Sequence, residues 1–235
     1  MGKEENRFWA FLRGLAPAVP VVMGYLPIGF AYGVLAINGG LTVFETVAMS
    51  VIVYAGSAQL MAVSLFEAGI NPFSIIATTF IVNLRHMLMS ASLAPYLERW
   101  RKGEVAAFCY ELTDESFGVH SLRFERGETA PHQTLSINLT CQLAWIAGTV
   151  LGALAGGLIR DVKPFALDYA LPAMFIALLV LQIKNRLHLL AALAAAALSL
   201  FFWLGGVTQW NVILATILAA ALAAGVETWT KRTSS

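Results

Sequence analysis

Apolar residues in this chain arrive in long blocks, not in the alternation of half-buried strands or the single stripe of a soluble helix. Seven blocks can be marked: about Phe8–Ile37, Thr42–Phe66, Phe73–Leu97, Ser136–Ile159, Phe165–Ile183, Leu187–Gly205 and Trp210–Val226. The 25 residues of Phe73–Leu97, at about 1.5 Å per residue, are long enough as a helix to cross a bilayer core of about 30 Å. Only helices and closed barrels satisfy their backbone in lipid. The pattern therefore predicts an all-α polytopic integral membrane protein with about six to seven membrane segments, some of them broken. It forms one transmembrane domain over residues 1–235.

Irregularities in the pattern locate the breaks. The first block carries Gly14, Pro17, Pro20, Gly24, Pro27, Gly29 and Gly33. Proline removes a backbone donor and clashes with the preceding turn, so this block is not expected to be one straight helix. In the second block, Tyr54-Ala55-Gly56-Ser57-Ala58-Gln59 invites unwinding or close backbone approach at Gly56. Between the third and fourth blocks runs a hydrophilic connection, at about 98–133, with an expected amphipathic helix around Val105–Leu122.

Composition and charge agree with the pattern. The chain is 58% hydrophobic and only 12% charged, against about 25% charged in an ordinary soluble domain. Mean hydropathy is +0.72. From Gly14 to Leu97 the only charged residues are Glu45, Glu67 and Arg85, whereas Glu98–His132 holds 12 of the chain's 29 charges. A net charge of +1 with no basic stripe excludes a nucleic-acid module. Cys109 and Cys141 are too few for a disulfide framework or a metal site. Lys and Arg in the 98–132 connection, the 184–188 turn and the tail place those three on one side, expected to be cytoplasmic. The C-terminus then lies inside. Lys3, Arg7 and Arg13 place the N-terminus inside too if the first block enters and leaves on one side.

Polar groups within the apolar blocks are the candidates for function. Arg85 falls near the centre of the third block, where an arginine costs about 2.5–3.5 kcal/mol on insertion scales and usually serves a polar path. Successive side chains on a helix are about 100° apart. Thr79, Asn83, His86 and Ser90 therefore form one stripe and Thr78, Arg85 and Ser92 another, roughly opposite. A helix polar on two sides is expected in the middle of the bundle, or broken beside a cavity. Asn83, Arg85 and His86 are accordingly not expected to make one three-residue site. Tyr54, Gly56, Ser57 and Gln59, with Pro27 and Gly29 in the first block, complete the set expected at a polar ligand. His86, Asp114 and Glu115 are the groups able to titrate, the last two on the amphipathic helix expected just outside the membrane. Small-residue packing seams and helix-gluing hydrogen bonds are the competing readings for these residues. No Walker, zincin or nucleophile-elbow motif occurs, and neither a cofactor nor a metal is expected. A faint repeat pairs Leu26-Pro27-x-x-Phe30 with Leu171-Pro172-x-x-Phe175, and Tyr54–Gln59 with Trp203–Gln209; transporters are often built this way.

Five stretches together resemble the AzlC/YgaZ family. They are Leu26-Pro27-Ile28-Gly29-Phe30-Ala31-Tyr32-Gly33, Ala55-Gly56-Ser57-Ala58-Gln59, Asn83-Leu84-Arg85-His86-Met87-Leu88-Met89-Ser90, Leu112-Thr113-Asp114-Glu115-Ser116-Phe117 and Leu171-Pro172-Ala173-Met174-Phe175. The resemblance spans nearly the whole chain. It implies the large subunit of a secondary transporter, not an enzyme, exporting branched-chain amino acids across a bacterial inner membrane. A small, separately encoded AzlD/YgaH-type membrane subunit would be its partner. A zwitterionic substrate asks for a cation or helix N-terminus at its carboxylate and acceptors at its ammonium; Arg85 is assigned to the carboxylate, with Gln59, Asn83 and the broken backbone near Pro27 supplying polar contacts. The residues leave three other readings open: a passive channel-like facilitator, an integral-membrane enzyme acting on a lipid, and an assembly subunit that does not itself transport.

Overall fold

The computed structural model describes residues 15–159, 186–206 and 211–233, with isolated positions between 169 and 183. The charged N-terminal lead-in, most of the Phe165–Ile183 block with its Leu171-Pro172-x-x-Phe175 pattern, and the last three positions of Trp203–Gln209 lie outside the described residues. The chain forms two compact units, one through Met174 and one from Phe175. Nine α-helices are described: α1 (Val19–Asn38), α2 (Val43–Ile52), α3 (Gly56–Glu67), α4 (Pro72–Leu93), α5 (Lys102–Tyr110), α6 (Asp114–Glu125), α7 (Pro131–Gly156), α8 (Arg186–Leu204) and α9 (Asn211–Thr233). Among the described residues four helical spans are long and apolar enough to cross a membrane: Ala16–Asn38, Pro72–Tyr96, Pro131–Gly156 and Arg186–Leu204. In the second unit α8 and α9 pack on each other.

The first unit is organised around α1 and α7. Gly29 and Gly33 on α1 meet Gly148 and Gly152 on α7, so the two backbones touch. A Cβ on Gly148 would stand 2.5 Å from the Leu26 carbonyl oxygen, and one on Gly152 would collide with the Phe30 carbonyl. In the first block, the described part opens with a 3-10 turn at Ala16–Ala18, and no break falls at Pro27. Pro27 lies inside α1, which runs unbroken from Val19 to Asn38. Proline deletes one hydrogen bond, and close packing of small residues along the rest of the helix outweighs that loss.

The break falls instead between α2 and α3, at Val53–Ala55, where Tyr54 has φ +42°. A tyrosine in this left-handed region is strained. The helices on either side are otherwise regular, and α2 begins on a Thr42–Glu45 capping box. A second break divides the helix expected at Val105–Leu122 into α5 and α6, separated by Glu111–Thr113. Thr113 restarts the chain as the N-cap of α6, exchanging hydrogen bonds with Ser116, and an N-cap interrupts a helix that hydrophobic pattern alone would continue.

The α5–α6 hairpin is not outside the bundle. An apolar cluster of Leu93, Leu97, Phe108, Leu112 and Phe124 anchors it against the end of α4. Tyr110 donates to the Val51 carbonyl near the end of α2, so a residue beside one break caps a carbonyl freed by the other. His120 is fully buried against the rings of Phe108 and Phe124, with Nε2 2.7 Å from Asn138 Oδ1 on α7. Burial, with nearby Arg123 adding to it, holds its imidazole at about 4, although the Asn138 hydrogen bond pulls the other way.

The third block also departs from expectation. α4 is unbroken and sits at an edge, with Leu93 its only buried residue. Phe73, Ile76, Phe80, Met87 and Leu88 are exposed on one side, while Thr78, Thr79, Asn83, Arg85, His86 and Ser90 are half-buried. The two polar stripes flank the inward side of the helix, with Ser92 at the exposed end of one, leaving an apolar side free.

Two outcomes test this packing. Gly152→Ala should lower thermal stability in detergent by about 1–3 kcal/mol, while Gly24→Ala, whose Cβ would meet nothing within 4 Å, should leave it unchanged. Because His120 titrates lower in the fold than in the unfolded chain, its contribution is complete above about pH 6.5 and lost as pH falls toward 4. Stability should drop by on the order of 1–3 kcal/mol across that window, and His120→Gln should flatten the drop.

Candidate functional site

The two breaks and α4 converge on one cleft. It is lined by Tyr25 and Ile28 of α1, Tyr54 to Ser57 at the first break, Arg85 and His86 of α4, Thr113 to Glu115 at the second break, and Trp145 of α7. About 370 Å³ of space lies within it, open solvent at the mouth included. Tyr25 and Arg85 lie near the middle of their spans, so the hairpin tip reaches the same depth.

The cationic end is built by Arg85 and α3. Arg85 Nη2 donates to Ser57 Oγ at 2.5 Å and pairs with Asp114 Oδ2 at 2.9 Å. Its Nε is buried without a partner. α3 starts at Gly56 with no side-chain cap, so its first amides have no partner within the helix, and its first two residues line the cleft. A helix N-terminus and a guanidinium side by side favour an anion.

The acidic end comes from the first turn of α6. Tyr25 donates its hydroxyl to Glu115 Oε2 at 2.7 Å and lies 2.6 Å from Thr113 Oγ1. Asp114 is bound to Arg85, but no described cation is ion-paired with Glu115. Burial pushes the Asp114 carboxyl up, and the Arg85 charge and its own backbone amide pull it back. Between the two ends lies an apolar wall of Ile28, Ala55 and Trp145. Tyr54, 2% exposed, brings an unpartnered hydroxyl to the cleft.

The residues singled out from the sequence divide into two groups. Tyr54, Gly56, Ser57, Arg85, His86, Asp114 and Glu115 line this one cleft. Arg85 and His86 therefore share it, although on separate stripes, because both stripes turn inward. Asn83 is half-buried on α4 outside the lining, with Oδ1 unpartnered. Gln59 sits one layer behind, hydrogen-bonded to Trp145. Gly29 belongs to the α1–α7 seam, and Pro27 is exposed on α1; α1 reaches the cleft through Tyr25 and Ile28 instead. Thr113 and Trp145 were not expected at the site, and Tyr25 and Ile28 belong to the stretch around Pro27 that was. Thr113-Asp114-Glu115-Ser116 carries the capping signal that would have placed the α6 N-terminus, and the Gly148-x-x-x-Gly152 spacing beside Trp145 was the available sign of the seam. Among the described residues no group of three or more His, Cys, Asp or Glu is placed to hold a metal ion.

All of these lining residues fall inside residues 20–159, over which the chain matches the family model described as AzlC protein. The chain belongs to the AzlC family. An uncharacterized membrane protein of Archaeoglobus fulgidus is 35% identical, over 90% of this chain and 93% of its own. Inner membrane protein YgaZ of Escherichia coli is 31% identical, over 92% of this chain and 90% of its own. The branched-chain amino acid transport protein AzlC of Bacillus subtilis is 26% identical, over 84% and 80%. No solved structure matches. This AzlC-family chain is thus a helical membrane protein related to a branched-chain amino acid transport protein, and relatives named for transport fit a protein that is not an enzyme.

The Arg85–Asp114 pair is only 25% and 14% exposed, so removing one partner strands the other. Arg85→Ala should lower stability in detergent by about 1–3 kcal/mol. Arg85→Ala with Asp114→Asn should regain at least half of that, measured as the shift in unfolding temperature.

Proposed function

We propose that this AzlC-family protein is a secondary transporter that exports branched-chain amino acids across the bacterial inner membrane, working with a small AzlD/YgaH-type membrane subunit. The observation that carries the reading is the pairing of opposite charges in one cleft. Arg85, Ser57 and the open N-terminus of α3 suit a carboxylate, and Glu115 beside Tyr25 suits an ammonium. Ile28, Ala55 and Trp145 offer an apolar surface for valine, leucine or isoleucine. The name of the Bacillus subtilis relative supports the substrate class.

Export needs an energy source, and the chain carries no Walker motif. An ion gradient, carried by protons, fits the titratable groups His86, Asp114 and Glu115 in the cleft. The bias of Lys and Arg in the 98–132 connection and the tail supports a cytoplasmic C-terminus.

Leucine export from loaded cells tests the proposal. Arg85→Ala, at wild-type expression, should reduce efflux about tenfold or more, the worth of a charge-assisted hydrogen bond or two in a desolvated site. A protonophore should abolish concentrative export while leaving leucine–leucine counterflow. Undiminished efflux from Arg85→Ala would remove Arg85 from the site. The absence of trans-stimulation would replace the transporter with a passive facilitator.

A further inference from the structure

Trp145 is held on several sides at once. Its indole Nε1 donates to Gln59 Oε1 at 3.1 Å. Gln59 Nε2 donates to Ser50 Oγ at 3.0 Å, which lies 2.8 Å from Thr149 Oγ1. Thr149 donates in turn to the Trp145 carbonyl at 2.9 Å. With Thr149 committed to that carbonyl, Ser50 is the donor to Thr149, and the four groups close a circuit with every polar atom in it bonded. Ser50, Gln59 and Thr149 are all fully buried, so in this environment each bond resists being broken.

The ring is fixed on its other sides as well. Tyr32 stacks on it at 6.1 Å between centroids, and Tyr25 meets it edge-on at 5.5 Å. The far tip of the indole rests on Gly56: a Cβ there would stand 2.7 Å from Cη2 and 3.2 Å from Cζ2 and Cζ3. Gly56 is also the first residue of α3 and lines the cleft. A bulky aromatic placed this rigidly between the charged ends of a cleft is a fixed wall. A fixed wall discriminates by size, because an apolar ligand cannot push it aside without breaking the circuit.

Resting on the amino-acid reading above, we propose that Trp145 sets the size of substrate side chain the cleft accepts, and that Gln59 is a positioning residue acting only through the Trp145 indole. Charge selects an amino acid, and the Gly56–Trp145–Gln59 stack selects its aliphatic chain. Gly56 matters as the space into which the indole tip fits.

Trans-stimulated exchange of labelled leucine, with valine, leucine and phenylalanine as unlabelled competitors, tests this in membranes carrying the full chain. Trp145→Phe withdraws the wall and should shift the ratio of phenylalanine to valine competition toward phenylalanine by about fourfold or more, the worth of one buried methylene. Gly56→Ala displaces the indole and should change the ratio by a similar factor; that change should shrink in the Trp145→Phe background. If Trp145→Phe fails to reach the membrane, Gly56→Ala alone carries the comparison. Gln59→Leu should shift the ratio in the wild-type background and have no further effect on it in Trp145→Phe, where no indole N–H remains. A Gln59 effect that persists without the indole would mean a general structural role and overturn the positioning assignment. Wild-type exchange with unchanged ratios in Trp145→Phe and Gly56→Ala overturns the proposal alone. No exchange by the wild type overturns the transport reading, and this proposal with it.

Discussion

A helix interrupted at membrane depth exposes amide and carbonyl groups where no water can take them up, and that constraint shapes the first unit. Each such group left without a partner costs several kcal/mol in lipid. The chain meets the constraint by setting two interruptions face to face. Tyr110, at the end of α5, caps the Val51 carbonyl. Thr113 and Ser116 cap the start of α6. The amides at the start of α3, whose Gly56 and Ser57 line the cleft, have no side-chain cap. Of the two helix starts at these interruptions, the one without a side-chain cap is the one beside Arg85, so the backbone break and the candidate anion site belong to the same arrangement.

The glycine seam makes this convergence possible. Backbone contact between α1 and α7 brings Tyr25 and Trp145 within 5.5 Å of each other, ring to ring. With ordinary side chains along the seam the helices would stand farther apart, and Tyr25 would not reach Glu115 while Trp145 reaches Gln59. The cleft depends on a backbone contact that glycines on both helices permit.

Much of this was legible in the sequence, and the rest was hidden for identifiable reasons. Block length gave the helical membrane class directly, because hydrocarbon thickness leaves few alternatives. Insertion cost pointed to Arg85, and the small-residue run at Ala55–Ala58 pointed to the first break. Pro27 misled because proline signals a lost hydrogen bond but not the packing that offsets it. The 98–132 connection misled because its charge suggested water, whereas Asp114 and Glu115 find Arg85 and the Tyr25 hydroxyl inside the bundle. That pairing joins residues 29 and 90 positions apart, and no local pattern reports it. Gln59 looked like a ligand contact because a buried amide needs partners; the partners turned out to be Trp145 and Ser50.

Tyr54 is the one non-glycine residue with positive φ among the described residues. Glycine would hold that backbone without strain, yet the position carries a ring that reaches the cleft. A strained tyrosine raises the energy of this conformation by roughly 1–3 kcal/mol relative to one in which its backbone relaxes. The first break therefore holds strain at the edge of the cleft, and a conformer that extended Tyr54 would recover that energy.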